Sequence, residues 1–309
     1  MANLATPVVK ILETNPTAPH PYRNGHVAAE PRSEHGKAVS EEVYWAEYYS
    51  HPSFSYEWNN GILEVRPMPN VVEWNMYKWF LLLLNEFLRN EPIAITMALE
   101  TAFRMAMPAG VAIRKPDLGV ILNSNHIPLE RDDRSYHGIF DICIESLSDG
   151  SQEDIDRDVI VKRNQYEIAG VREYFILDDG DTYMAFYYRT PQGFFAPIPP
   201  LPGGIIRSTV LPGFQFRMAD LHRQPALVEL VDDPIYQPFI MPEYQAARVR
   251  VQQESQRAQQ ESQRAQQESQ RAQQESQRAQ QAEAAFFAEQ QRSAQMAARL
   301  RSLGVSVDD

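Results

Sequence analysis

Two segments place acids inside runs that otherwise read as buried β-strand. In "RKPDLGVIL", Arg114 to Leu122, Asp117 follows Pro116 and precedes Leu118, Val120, Ile121 and Leu122. In "FDICIESLS", Phe140 to Ser148, Asp141 and Glu145 flank Cys143. Side chains alternate along a strand, so Asp141, Cys143 and Glu145 share one face and Ile142 and Ile144 the other. If the two strands pair, two or three carboxylates converge at one end of a sheet. Unpaired carboxylates in a partly buried site are costly. A cation offsets that cost, and the candidates are Mg²⁺ or a lysine. Mg²⁺ takes oxygen ligands, commonly one or two carboxylates completed by water and substrate phosphate.

The next segment supplies an amine. In "QEDIDRDVIVKRNQYEIAG", Asp158, Lys162 and Tyr166 recur every fourth residue and so share one face of a helix. Each residue also has a plainer reading. Asp117 can cap a strand, Asp141 can sit half in water at a strand entry, and Asp158 with Lys162 can be a surface pair contributing about 0.3–0.5 kcal/mol. Glu145 is harder to explain this way because it interrupts the middle of a β run. Taken together, the ordered spacing favours a site.

The surrounding elements must position these groups. Ser40 to Ser50 opens with a helix N-cap and two acids. "SYEWNNGILEVRP" reads as a hairpin turning at Asn60 and Gly61. Val71 to Asn90 reads as a buried helix, and the segment from Ala94 to Met107 as strands. The helix over residues 152–170 stops at Gly170 and supplies the crossover that a parallel strand pair requires. "VREYFILDD" and "TYMAFYYRT" form a further hairpin, and "ADLHR" closes the region. The aromatic run Tyr183 to Arg189 could stack bases, although alternation of this kind more often marks strand packing. The whole reads as an α/β fold with helices packed on a central mixed sheet.

The domain plan is an arm over residues 1–38, a folded domain over 39–224, a Pro-rich linker over 225–244, and a long helix over 245–303. In that helix "QQESQRA" repeats every seven residues from Gln252. Ser262, Ala265, Ser269 and Ala272 form a seam too small for a strong coiled coil, which prefers Leu or Ile there. A solvated single helix is favoured over a stable dimer, with Phe286, Phe287, Met296 and Leu300 able to seal a weak association.

The totals narrow the functional classes. The chain has 309 residues, one cysteine and a formal net charge of −12. One cysteine permits neither an internal disulfide nor a cysteine-based zinc site, which suits a reducing compartment. The longest apolar run, Trp79 to Leu84, is too short to span a membrane, and the start lacks the pattern of a signal peptide. A soluble cytoplasmic protein without membrane contact is expected. The negative charge counts against a nonspecific nucleic-acid coat. Phosphate-loop, zinc-protease and serine-elbow motifs are absent.

"KPDLGVI", "FDICIESLS" and "DRDVIVKRNQYEIAGVREYFILD", with "YEWNNGILEVRP" before them and "LPGFQFRMADL" after, resemble the Uma2 family of restriction endonuclease-like proteins. That family belongs to the PD-(D/E)XK nuclease superfamily, and the likeness covers about residues 39–224. Pro116 and Asp117 match the superfamily's "PD", and Glu145 matches its second acid. Leu147 stands where the superfamily lysine would be, and Lys162 is the match in Uma2-like sequences. Glu57 matches an acid before the family's Gly turn. The resemblance implies a restriction endonuclease-like fold in which Asp117 and Glu145 bind Mg²⁺, or Mn²⁺ in its place. It further implies that Lys162 orients the attacking water or stabilises the developing negative charge, that Asp158 and Tyr166 hold Lys162, and that the substrate is DNA. Asp141 is a further supporting acid on the Glu145 face. A homodimer, through the nuclease-like domain or the C-terminal helix, is a further expectation. The alternative is an inactive nuclease-like scaffold presented by its helical tail.

Overall fold

A computed structural model describes residues 32–98, 100–148 and 150–304. They form two compact units, one of residues 32–77 and 94–198, the other of residues 78–93 and 199–304. Most of the arm expected over residues 1–38 lies outside the described residues. Its end is tied down: the Gly36 and Val39 amides each donate at 2.8 Å, to the carbonyls of Leu63 and Gly61.

The first unit opens with a helix, Glu41–Val43, that widens into a π-helical turn, Tyr44–Tyr48, and buries Tyr44 and Tyr48. Ser40 caps it by accepting from the Val43 amide at 3.3 Å. The hairpin follows as β1 (Tyr56–Asn59) and β2 (Ile62–Val65). Asn60 and Gly61 have φ of 52° and 94°, which a two-residue turn between twisted strands demands. Next come β3 (Ala94–Met97), β4 (Phe103–Met107), β5 (Gly110–Arg114) and β6 (Leu118–Leu122), then β7 (Ile142–Ser146) and β8 (Glu173–Leu177). β9 (Ala185–Arg189) and β10 (Phe195–Pro197) complete the set.

These strands make two sheets, ordered β2-β1-β5-β4 and β10-β9-β8-β7-β6-β3. All pairs are antiparallel except β7 with β8. The expected crossover helix makes that exception possible. It runs through Gln152–Asp156, a π-helical turn at Arg157–Lys162, and Arg163–Ala169. Ser151 and Asp154 form a reciprocal capping box at its start, and Gly170 ends it at φ 99°. The core between this helix and the sheet includes Cys143, Leu147, Tyr166, Tyr174 and Ile176. Tyr187 of the aromatic run packs against this core, and the Arg163 guanidinium lies 4.8 Å from its ring centre.

The long helix Val71–Asn90 contributes its first two turns, to Tyr77, to the first unit. Its remainder belongs to the second unit, with the hairpin of β11 (Ile205–Arg207) and β12 (Gln215–Arg217) and the helix Met218–Arg223. Phe80 and Phe87 pack there on Phe214. The tail helix, Pro242–Ser302, has 61 residues and none buried; at 1.5 Å per residue it is about 90 Å long. Among the described residues no helix is long and apolar enough to cross a membrane.

Gly119 in β6 has a packing reason. A Cβ there would come within 2.5 Å of the Phe140 ring. Gly119→Val is therefore expected to destabilise the protein by about 1–3 kcal/mol through overpacking, measured by urea unfolding. An unchanged midpoint would show that Phe140 yields freely.

Candidate active site

Strand register brings the two acids together. β6 and β7 pair with Leu118 opposite Ile144, and one further step of that register sets Asp117 against Glu145. The Ser146 amide donates to Asp117 Oδ2 at 2.7 Å, fixing the carboxylate across the strand pair. Glu145 is 1 % exposed. Its face of the strand looks toward the crossover helix, where the Tyr166 hydroxyl donates to Glu145 Oε1 at 2.7 Å.

Lys162 sits at the centre of the cluster. Its ammonium lies 2.8 Å from Asp158 Oδ1, 3.0 Å from Glu145 Oε2 and 3.4 Å from Glu57 Oε1. Asp158 and Lys162 bracket the π-helical turn, a departure from regular helix often found at functional sites. Glu57 comes from β1 in the other sheet, so one ammonium bridges both sheets. Leu147, at the superfamily lysine position, packs into the core beside Tyr166 and Cys143.

The electrostatics are lopsided. Burial pushes the Glu145 carboxyl up to about 8, and Asp158, Asp117 and Glu57 add to the shift while Lys162 opposes it. Burial would also raise Glu57, but Lys162 and Arg114 outweigh it and hold that carboxyl well below the usual range. Burial disfavours the Lys162 charge, yet Asp158, Glu145 and Glu57 hold its pKa above the ordinary lysine value. Near neutral pH the cluster thus keeps an ammonium and a proton, chiefly because Glu145 is buried.

The structure does not bring Asp141 to this site. It precedes β7 and lies four positions before Glu145, about 13 Å along an extended chain. Its Oδ2 accepts from the Leu122 amide and from Asn125 Nδ2, both at 2.8 Å. It ties a loop to the far end of the strand.

Other groups at the site were not singled out from the sequence. Arg66 pairs with Asp117 through Oδ1. Arg114, fully buried, donates to Glu57 Oε2 at 3.0 Å and to Gln165 Oε1 at 2.7 Å, and also pairs with Glu64. Arg157 donates to the Val65 carbonyl at 3.1 Å and to Asp154 at 2.8 Å. The Tyr77 hydroxyl donates to the Asp117 carbonyl at 3.2 Å. The available signal was charge at strand ends next to the acids, in "EVRP" and "RKPD".

A cleft of about 750 Å³ opens onto the cluster, lined by Asp117, Glu145, Asp158 and Lys162 and by Arg66 and Arg157. Among the described residues no group of three or more His, Cys, Asp or Glu side chains is arranged to hold a metal ion. Asp117 and Glu145 remain as a pair, and Mg²⁺ needs only one or two carboxylates. Their carboxylate oxygens are the hard donors such a cation takes. Such binding would release the Glu145 proton.

A family model described as "Uma2: Putative restriction endonuclease" matches residues 42–219, more than half of the chain. The chain belongs to the Uma2 family. The Uma2 match takes in Glu57, Asp117, Glu145, Asp158, Lys162 and Tyr166. A crystal structure of a "putative nuclease belonging to DUF820" from Anabaena variabilis is similar at 17% identity and a TM-score of 0.47, covering 60% of this chain and 98% of that one. No curated protein matches.

Glu145 makes folding depend on pH. Between the ordinary carboxyl value of 4.5 and about 8, the folded state holds a proton that the unfolded chain has released. That stabilisation is complete below the unfolded value and is lost as pH rises through the folded one. In EDTA, the melting temperature is expected to fall from about pH 5 to about pH 9, and Glu145→Gln to flatten the decline. A wild-type melting temperature that does not fall over this range would contradict the assignment.

Proposed function

We propose that the chain is a divalent-cation-dependent endonuclease that hydrolyses phosphodiester bonds in DNA. One observation carries this reading: Asp117 and Glu145 meet across neighbouring strands, with the Lys162 ammonium 3.0 Å from Glu145. The family description adds support for a nuclease.

Asp117 and Glu145 would hold Mg²⁺ or Mn²⁺. A bound cation supplies Lewis acidity to a phosphate oxygen and lowers the pKa of a coordinated water. The chain's own groups do the rest. Lys162 places a fixed positive charge where negative charge grows on the phosphorus oxygens. Tyr166 and Asp158 keep Lys162 and Glu145 in register with each other. Glu57 anchors the ammonium from the opposite sheet. Arg66 and Arg157 offer guanidinium groups along the cleft, a geometry suited to phosphate. In the overall reaction a water oxygen bonds to phosphorus, one P–O ester bond breaks, and the departing oxygen takes a proton.

A second reading is favoured by other contacts in the same cluster. Arg66 already neutralises Asp117, and Lys162 fills the space among Glu57, Glu145 and Asp158. A nuclease-like domain with its acids satisfied internally would act as a binding or scaffold protein, displayed by the tail helix and able to pair with a second copy.

One assay separates the two. Purified full-length protein is incubated with supercoiled plasmid and Mg²⁺ or Mn²⁺, with EDTA, and as Glu145→Ala. The nuclease reading expects nicked or linear plasmid only with a cation, and a loss of at least about 100-fold in Glu145→Ala, the scale of removing one electrostatic catalytic group. Intact plasmid, and intact single-stranded DNA incubated in parallel, under every condition, from folded protein, would favour the scaffold.

A further inference from the structure

We propose that the cleft binds an unpaired strand, so that the substrate is single-stranded or locally opened DNA and not intact duplex, with Trp74 as the platform on which a base stacks. The proposal rests on the nuclease reading for its claim that nucleic acid enters the cleft.

Depth is the first argument. The reactive cluster lies at the floor: Glu145 is 1 % and Lys162 2 % exposed. The space above it, about 750 Å³, falls within the 300–1,000 Å³ of clefts that enclose small ligands. That is room for one or two nucleotides. A duplex, whose major groove alone is about 12 Å wide, does not enter that space whole, whereas a single strand does.

The lining is the second argument. Proteins that bind single strands combine cations that track the backbone with aromatic rings that take the bases. Arg66, Arg157 and Lys162 provide the cations on the deep side of the cleft. Trp74, Phe54 and Met68 line it with apolar surface, and Trp74 and Met68 are exposed at 49% and 89%. Trp74 lies in the first turns of the helix that also carries Tyr77, whose hydroxyl bonds the backbone of Asp117. The helix that carries Trp74 is therefore anchored beside the acid.

The chain's acidic balance fits as well. A net charge of −12 weakens the long-range attraction that duplex binding draws on. Stacking of bases in a local pocket depends less on that attraction.

The test uses full-length protein in EDTA, where binding is measured without turnover. Affinities for a fluorescent 12-nucleotide oligo(dT) and for a blunt duplex of equal length are compared by anisotropy. The single strand is expected to bind about 10-fold more tightly or better. Trp74→Ala is expected to weaken it about 10-fold, the range of one lost base–aromatic stack, with Trp74→Phe near wild type. Met68→Glu, a change at an exposed side chain that cannot disturb the core, is expected to weaken it through repulsion. Duplex binding equal to or tighter than single-strand binding overturns the proposal, as does unchanged affinity in both Trp74→Ala and Met68→Glu. Cleavage assays with Mg²⁺ keep the two readings apart. Preferential single-strand binding without cutting supports this proposal and ends the nuclease reading. Cutting of intact duplex with no single-strand preference does the reverse.

Discussion

A single ammonium shared among carboxylates from three elements holds the first unit together at its functional end. Lys162 comes from the crossover helix, Glu145 from β7 in the six-stranded sheet, and Glu57 from β1 in the four-stranded sheet. Buried charge is tolerated only when paired and hydrogen-bonded. Arg114 supports Glu57, Tyr166 supports Glu145, and the π-helical turn places Asp158 beside the lysine. Without this ion Glu57 would keep Arg114 as its ion-pair partner and Glu145 would keep the Tyr166 hydroxyl, with no ammonium between the two acids.

The arrangement costs folding free energy, and its form suggests why it is kept. An interior chosen for stability alone would replace such a cluster by packed apolar side chains at little loss. Here Glu145 is buried beside Asp158, Asp117 and Glu57 and holds its proton at ordinary pH, chiefly because of that burial. In the proposed reading, Arg66 and Arg157 would meet an anionic substrate, and Asp117 and Glu145 a divalent cation.

The parts of the site legible in the sequence were those where local pattern and chemistry disagreed. Glu145 interrupts an apolar strand, Asp117 guards the mouth of another, and four-residue spacing put Asp158, Lys162 and Tyr166 on one face. The hairpin at Asn60 and Gly61 and the capped crossover helix were legible because turn and cap residues are set by local backbone geometry. Asp141 gave the same signal as Glu145 but closes a loop through Leu122 and Asn125. An acid in a strand does not reveal which end of the strand is functional. Arg66 and Arg114 were passed over because an arginine at a strand end usually faces water. Their burial depends on which strands become neighbours, and the order β2-β1-β5-β4 follows from tertiary packing that no local pattern encodes.

The most direct measurement is a ¹³C NMR titration of the Glu145 side-chain carboxyl in the full-length protein, in EDTA and again with Mg²⁺. The account predicts a midpoint at about 8 without the cation and a clear downward shift with it. A midpoint near the ordinary 4.5, unmoved by Mg²⁺, would contradict it.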